Sequence, residues 1–463
     1  MRAWLMLAGA VAPLAISADA LAGRLPERQA IAITDVTVVD VEGGRSLARK
    51  TVLIAGGRIV AIDASANASI PAGAQRIDGR GRFLIPGLVD MHVHLFNNAT
   101  RRPPNDWAFP LFLANGVTGV REMRAEPAQM GDVNRWRKEL GEGSLVAPRI
   151  LAAGVAVRGS SPDDARRQVD VAADAGADFI KVYSGVPASH WQAIQASARA
   201  RSLPVDGHVP AAVPLLDAAL AGQRSSAHLM QAFEVCSSIE AKILRERRDV
   251  QGDSGALLEA QEPRVLAAFD PRACRRVSKA LARSGLMHEP TLVIQRLKFD
   301  GRPSDDPRWA LLRADERARW ERFFASPAAQ NQALEKRRLD VALRIVSAMH
   351  RAGVPMMAGT DSPMPNVYPG YSLHDELRLL VASGLSPLEA LRAATLTPAE
   401  FLGSASESGS VAIGKRADLV LLDADPTKDI GNTQRIDAVM IDGRLLRRAA
   451  LDELLATHHD IGG

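Results

Sequence analysis

His92 and His94 stand two residues apart at the close of an apolar run, Phe83-Leu-Ile-Pro-Gly-Leu-Val-Asp-Met-His-Val-His. On a strand, side chains at i and i+2 point to the same face, so both imidazoles can reach one cation. Four more residues fit the same pattern further along. Lys181, His208, His228 and Asp361 each close a short apolar segment. Imidazole nitrogens and carboxylate oxygens are the donors that bind zinc and its neighbours. Taken singly, each has an ordinary explanation: a hydrogen-bonded core histidine, or an aspartate in a Gly359-Thr-Asp turn. Taken together, each at the end of a strand candidate, they indicate a metal site.

The elements needed to bring them together can be read from the pattern. Besides the His-x-His strand, seven strand candidates follow. They are Asn115-Gly-Val-Thr-Gly-Val-Arg, Arg149-Ile-Leu-Ala-Ala-Gly, Asp178-Phe-Ile-Lys-Val-Tyr and Leu203-Pro-Val-Asp-Gly-His, then Ser225-Ser-Ala-His, His288-Glu-Pro-Thr-Leu-Val and Val354-Pro-Met-Met-Ala-Gly-Thr-Asp. Helical stretches separate several of them. Eight strands in this order suit an α/β fold of the (β/α)8 barrel type, whose strand C-termini share one rim. Ser386-Pro-Leu-Glu389 and Thr397-Pro-Ala-Glu400 read as capping boxes with Pro in the first turn. Residues 233–284 and 294–350, rich in Arg, Glu, Ala and Leu, exceed a minimal barrel and read as helical. The second either lines the site or is a surface insertion.

The ends differ from the middle. Ile31-Ala-Ile-Thr-Asp-Val-Thr-Val-Val, Thr51-Val-Leu-Ile and Arg58-Ile-Val-Ala-Ile are strand-like, broken by Gly43-Gly44 and Gly56-Gly57. Ala417-Asp-Leu-Val-Leu-Leu and Ile436-Asp-Ala-Val-Met-Ile match them, with a turn at Asp442-Gly443. Both ends should therefore fold together as one small β domain around the barrel.

The chain resembles the amidohydrolase superfamily, with imidazolonepropionase-like and prolidase-like members as nearest kin. The matching pieces are Pro86-Gly-Leu-Val-Asp-Met-His-Val-His, Gly176-Ala-Asp-Phe-Ile-Lys, Gly207-His-Val-Pro and Ala358-Gly-Thr-Asp-Ser, followed by His374-Asp-Glu-Leu, the Gly384–Thr395 stretch and Gly414-Lys-Arg-Ala-Asp-Leu-Val. The resemblance implies a TIM barrel over 86–403 and a β-sandwich from 23–85 and 404–463. It implies two divalent metal ions, most simply zinc. His92, His94 and Asp361 would hold the more buried one and His208 and His228 the other. Lys181 would bridge both as a carbamate formed with carbon dioxide. The alternative for Lys181 is an amine salt-bridged across the barrel.

The implied chemistry is hydrolysis of an amide bond by a metal-bridging hydroxide, with Asp361 as general base and then acid. Tyr183, two residues after Lys181, is a candidate oxyanion donor or a packing residue. His374 would orient the site or substrate. Arg121 matches a family position usually followed by Asp, but Glu122 follows it here. His288 is read as structural, and His190, His350, His458 and His459 as surface or packing residues. A dipeptide, an N-acyl amino acid or a cyclic amide would fit as substrate. The rival within the family is a mononuclear deaminase or imidazolone-type hydrolase. A barrel kept only for binding would lack a ligand, and none of the six is missing.

The 463 residues are 47% apolar and 24% charged, with a formal net charge of +4. That is the balance of a globular protein, and the scattered Arg residues leave no nucleic-acid footprint. Met1-Arg2, the apolar Ala3–Ile16 and small residues at Ala20 and Ala22 have the layout of a signal peptide over 1–22. Export, with a periplasmic destination and no membrane association after cleavage, is therefore expected. Cys236 and Cys274 could pair or remain two buried thiols. A homo-oligomer is compatible with the family, without a recognisable interface.

Overall fold

The computed structural model describes residues 29–96, 104–248, 255–296, 305–325 and 332–457. The expected signal peptide, His458 and His459 lie outside the described residues. No helix among the described residues is long and apolar enough to cross a membrane.

The first strands are β1 (Ile31–Asp40), β2 (Arg45–Ala55), β3 (Arg58–Ala64), β4 (Gln75–Asp78) and β5 (Phe83–Pro86). A run of short parallel strands comes next: β6 (Leu88–Val93), β7 (Val117–Ala125), β8 (Arg149–Ala156), β9 (Phe179–Val182) and β10 (Val205–Gly207). They form one sheet in the order β10-β9-β8-β7-β6. Helices Phe109–Ala114, Met130–Glu142, Pro162–Asp174 and Ala188–Ala200 lie between successive members. The third shows how sequence sets a boundary: Ser161 accepts from the Asp164 amide, and Pro162 needs no amide partner.

Two more parallel strands, β11 (Ser225–Ala227) and β12 (Met287–Glu289), pair with each other. The Arg224 amide reaches Val205 O at 2.9 Å, next to β10. The 354–361 segment is no regular strand. It makes an isolated bridge, His288 with Met356. Its amides and those of β6 also exchange bonds, Met91 N to Ala358 O at 3.0 Å and Asp361 N to His92 O at 2.7 Å.

The chain finishes with β13 (Leu419–Leu422), β14 (Ile436–Ile441) and β15 (Arg444–Arg447). These join β1–β5 in one eight-stranded sheet, where β13 pairs antiparallel with β5. Alternation along β13 explains its place. Leu419 and Leu421 enter the core shared by β1, β2 and β14, while Val420 and Leu422 enter the core of the α/β part. A strand buried on both faces needs the unbroken apolar run seen here. Asp442 and Gly443, with φ of 51° and 70°, make the tight turn into β15.

The expected helical insertions are helical. The first contains Ala232–Val235, Glu240–Arg247, Gly255–Ala267 and Pro271–Ser284, and the second Ala314–Phe324 and Gln332–Ala352. Cys236 and Cys274 are bonded, with Cα atoms 4.1 Å apart, fastening two of the helices across 38 residues. Closing a loop of that length stabilises the fold by about 4 kcal/mol in the chain-entropy description. The Ser386–Glu389 capping box is present. The Thr397 box is not: the helix starts at Leu396, placing Thr397 inside it, and Thr395 Oγ1 bonds to Leu391 O instead.

Candidate metal centre

The ends of β6, β9, β10, β11 and the 354–361 segment converge. Ligand atoms of His92, His94 and Asp361 all lie within 4.8 Å of one another. His94 Nε2 is 2.7 Å and His92 Nε2 3.2 Å from Asp361 Oδ1. On the other side of that carboxylate, His228 Nε2 is 4.0 Å from Oδ2. The His228 ring lies 4.4 Å from that of His92 and 4.8 Å from that of His208. Asp361, His228 and Thr291 all have positive φ, 68°, 61° and 44°. Such backbone costs on the order of 1–3 kcal/mol per residue and persists where surrounding structure imposes it.

The rings are oriented from behind. Thr291 Oγ1 gives its proton to Pro290 O at 2.8 Å, so it accepts from His228 Nδ1 at 2.8 Å. That leaves the His228 Nε2 lone pair facing Asp361. His92 Nδ1 lies 3.2 Å from Glu289 Oε2, which accepts its proton and leaves Nε2 free toward the site. Glu289 is itself gripped by Arg121 Nη2, while Arg121 Nη1 lies 3.4 Å from Asp206. All three are fully buried. Burial would raise the Glu289 carboxyl, but Arg121 and His92 outweigh it and hold it well below the usual range. Asp90 links β6 to the 354–361 segment, taking Thr360 Oγ1 at 2.6 Å and the His92 amide at 3.1 Å.

Lys181 is fully buried, and its Nζ has no hydrogen-bond partner among the described residues. Burial lowers its amine to about 8. A carboxylate salt-bridged to it, the alternative weighed from sequence, is absent among the described residues. Gly207 makes room for its stem: a Cβ there would come within 2.4 Å of Lys181 Cδ, and φ is +107°. Burial, then the nearby Lys181 charge, keeps His208 well below its ordinary value. His228 is lowered mainly by burial. Both are therefore neutral and able to donate a lone pair. Burial alone would raise Asp361, but the imidazoles of His228 and His92 around it and the bond from His94 prevail, holding it well below the ordinary carboxylate range.

These donors fit a divalent cation. They combine neutral imidazoles with a buried carboxylate, and His92 Nε2, His94 Nδ1 and Lys181 Nζ are buried without hydrogen-bond partners among the described residues.

Tyr183 lies beside this cluster, its ring 4.9 Å from that of His208 and 5.3 Å from Lys181 Nζ. Burial raises its phenol, so the O–H remains a donor near neutral pH. His374 is not brought into the cluster, which corrects the expectation drawn from sequence. Its Nε2 bonds to Asn115 O at 3.0 Å and its Nδ1 to Thr433 Oγ1 at 2.8 Å. Both nitrogens are thus spent on holding the start of β7 to the C-terminal segment.

Sequence reading missed Glu289. It expected the seventh strand to run on to Val293, yet β12 stops at Glu289, before Pro290, and a 3-10 turn begins at Leu292. The usable signal was Pro290 itself, which cannot extend a strand ladder. Arg124 was also missed. It is buried near the end of β7, with Nε and Nη1 lacking hydrogen-bond partners and Nη2 3.9 Å from Glu126.

Comparison with known proteins decides the family. The profile of the Amidohydrolase family matches residues 83–446. The chain belongs to the amidohydrolase family. It is 25% identical to an imidazolonepropionase of Sphingopyxis alaskensis over 397 residues, 80% of this chain and 86% of that protein. Other curated matches are shorter: 78 residues, 38% identical, are shared with a deacetylase of Agrobacterium fabrum, 17% of this chain and 19% of that protein. Among solved structures, a bottromycin amidohydrolase superposes with a TM-score of 0.69 at 25% identity, covering 94% of this chain and 91% of that one. A putative prolidase from Bifidobacterium longum gives 0.64 at 24% identity, covering 94% and all of that chain. This amidohydrolase is a hydrolase of carbon–nitrogen bonds in small molecules, with a His-His-Asp cluster suited to a metal.

Proposed function

We propose that this amidohydrolase uses two divalent metal ions, most simply zinc, to hydrolyse the amide bond of a dipeptide or N-acyl amino acid. The observation that carries this reading is the second half of the cluster. His208, His228 and a buried, unpartnered Lys181 adjoin the His92–His94–Asp361 group. His92, His94 and Asp361 would hold one ion and His208 and His228 the other. Lys181 would bridge them once its neutral amine has added to carbon dioxide, forming an N–C bond and releasing a proton. When bound, the metals supply Lewis acidity to the scissile carbonyl and make water a competent nucleophile near neutral pH.

The chain's own residues do the rest. Ionised Asp361 takes the proton of the attacking water and returns it to the leaving nitrogen. The Tyr183 O–H donates to the oxygen that becomes negative as water adds. Arg124, buried with two guanidinium nitrogens that lack a hydrogen-bond partner among the described residues, offers a fork for a substrate carboxylate. We read β6–β12 and the 354–361 segment as a (β/α)8 barrel, supported by backbone hydrogen bonds between successive members. We read the eight-stranded sheet as the β-sandwich, the barrel spanning 86–403, and the chain as exported.

The test is turnover of dipeptides and N-acyl amino acids by zinc- and bicarbonate-loaded protein, before and after chelation. Release of the free amino acid, lost with chelator and in Asp361→Asn, is expected. Undiminished hydrolysis by Asp361→Asn refutes the mechanism.

One observation favours a second reading. Among the described residues the tight cluster contains only His92, His94 and Asp361. A mononuclear enzyme opening a cyclic amide or deaminating a heterocycle would need little more. Ammonia release or ring opening with one metal per chain would select it.

A further inference from the structure

Beside the centre lies a cavity of about 320 Å³, reached from Ser184 and His228 and walled by the two helical insertions. Its apolar lining includes Met230, Phe233, Leu258, Leu266 and Ile294. Two of the charges on its wall are cancelled within it. Arg247 Nη2 is 2.7 Å from Glu234 Oε1, and Arg338 is paired with Glu262. Arg247 is almost fully buried, and its other nitrogens are engaged by Gln261, Gln231 and Ala211 O. The guanidiniums lining this cavity therefore have their partners already.

We infer that this cavity is the specificity pocket of the enzyme, and that it takes a neutral, apolar group of leucine or phenylalanine size attached to the scissile amide. The inference rests on the amide-hydrolase reading above and adds the substrate class to it. The volume is at the small end of ligand pockets, enough for one side chain rather than a whole substrate. An anionic group entering it would lose its hydration and find the guanidiniums already paired, a desolvation cost without return, and a cation would meet the exposed Glu259, whose charge water screens. An apolar group gains the buried area instead. Most of the wall comes from residues within 229–247 and 255–266 with Ile294, Gln295 and Arg338, so the insertions, rather than the strand ends, would set which amide is cut.

Two substrate series test this on the zinc-loaded full chain: N-acetyl-X with X = Gly, Ala, Leu, Phe, Lys or Asp, and N-acyl-glycine with acyl chains from acetyl to hexanoyl and phenylacetyl. In one series kcat/KM should rise on the order of 100-fold from the smallest to the largest apolar group, with Lys and Asp no better than Gly. Leu258, half-buried on the helix Gly255–Ala267, lines the cavity and is none of the candidate ligands, so Leu258→Trp fills it from the insertion side. It should erase the gain, at least about tenfold for the largest group, while the smallest substrate is cut within twofold of the parent rate. That retained rate also shows that the variant is folded. Phe233→Ala, which enlarges the cavity, should shift the optimum to a larger group.

If both series are hydrolysed but neither rises with apolar size, or the charged members lead, the pocket assignment is wrong and the amide-hydrolase reading stands. If neither series is hydrolysed at all, that reading falls and the pocket assignment with it.

Discussion

The histidines are only as good as the groups that hold them. His92 presents Nε2 because Glu289 takes the proton on Nδ1, and Glu289 is fixed by the buried Arg121. Glu289→Gln keeps the shape and removes the charge. Metal affinity, measured by chelator competition, should fall 10- to 100-fold, the usual loss when a carboxylate behind a ligand histidine is removed. An unchanged affinity would mean that Glu289 merely packs. His374→Asn is a useful contrast: its bonds to Asn115 and Thr433 are structural, so it should lower the melting temperature and leave metal affinity alone. Most ligand candidates were legible at this scale because each closes an apolar run. Glu289 was not, because a strand end was placed too late, and Arg124 was not, because a lone Arg in a strand carries no spacing signal.

Elements decide whether those residues meet. β10 can pass Lys181 toward the centre only because Gly207 has no Cβ and adopts φ of +107°. Gly207→Ala should lose both metal uptake and at least about 1–3 kcal/mol of stability, from strained backbone and the clash with the Lys181 stem. Wild-type stability and metal content would show that the strand has slack to move.

The helix Tyr371–Ala382 carries a second constraint. Glu376 Oε2 accepts the Val293 amide at 2.9 Å, and burial raises the carboxyl to about 8. In the unfolded chain it ionises near the model value of 4.5. The fold is favoured by this protonated group below that value and loses the contribution as pH climbs toward 8. Thermal midpoints of the parent should therefore decline across that window, and Glu376→Gln should flatten the decline. Parallel curves for the two proteins would refute it.

Strand order was legible in sequence because buried parallel strands are short apolar runs between helical stretches. The eighth run was legible as apolar but not as irregular. The Asp90–Thr360 bonds and the positive φ of Asp361 divert its backbone from a regular ladder. Periodicity has no term for such side-chain bonding.

At the scale of the whole molecule, the two chain ends close on each other through β5 and β13, and the insertions wall the cavity beside the centre. Family membership and the carbon–nitrogen hydrolase class follow from the chain as a whole. The proposed second metal rests on His208, His228 and Lys181. Zinc should therefore be counted per chain by elemental analysis, after reconstitution with bicarbonate and excess zinc and removal of the unbound metal, in the parent and in Lys181→Ala. About two in the parent and about one in the variant are expected if Lys181 bridges a shared centre. One in both proteins would overturn the binuclear centre and leave His92, His94 and Asp361 holding a single ion.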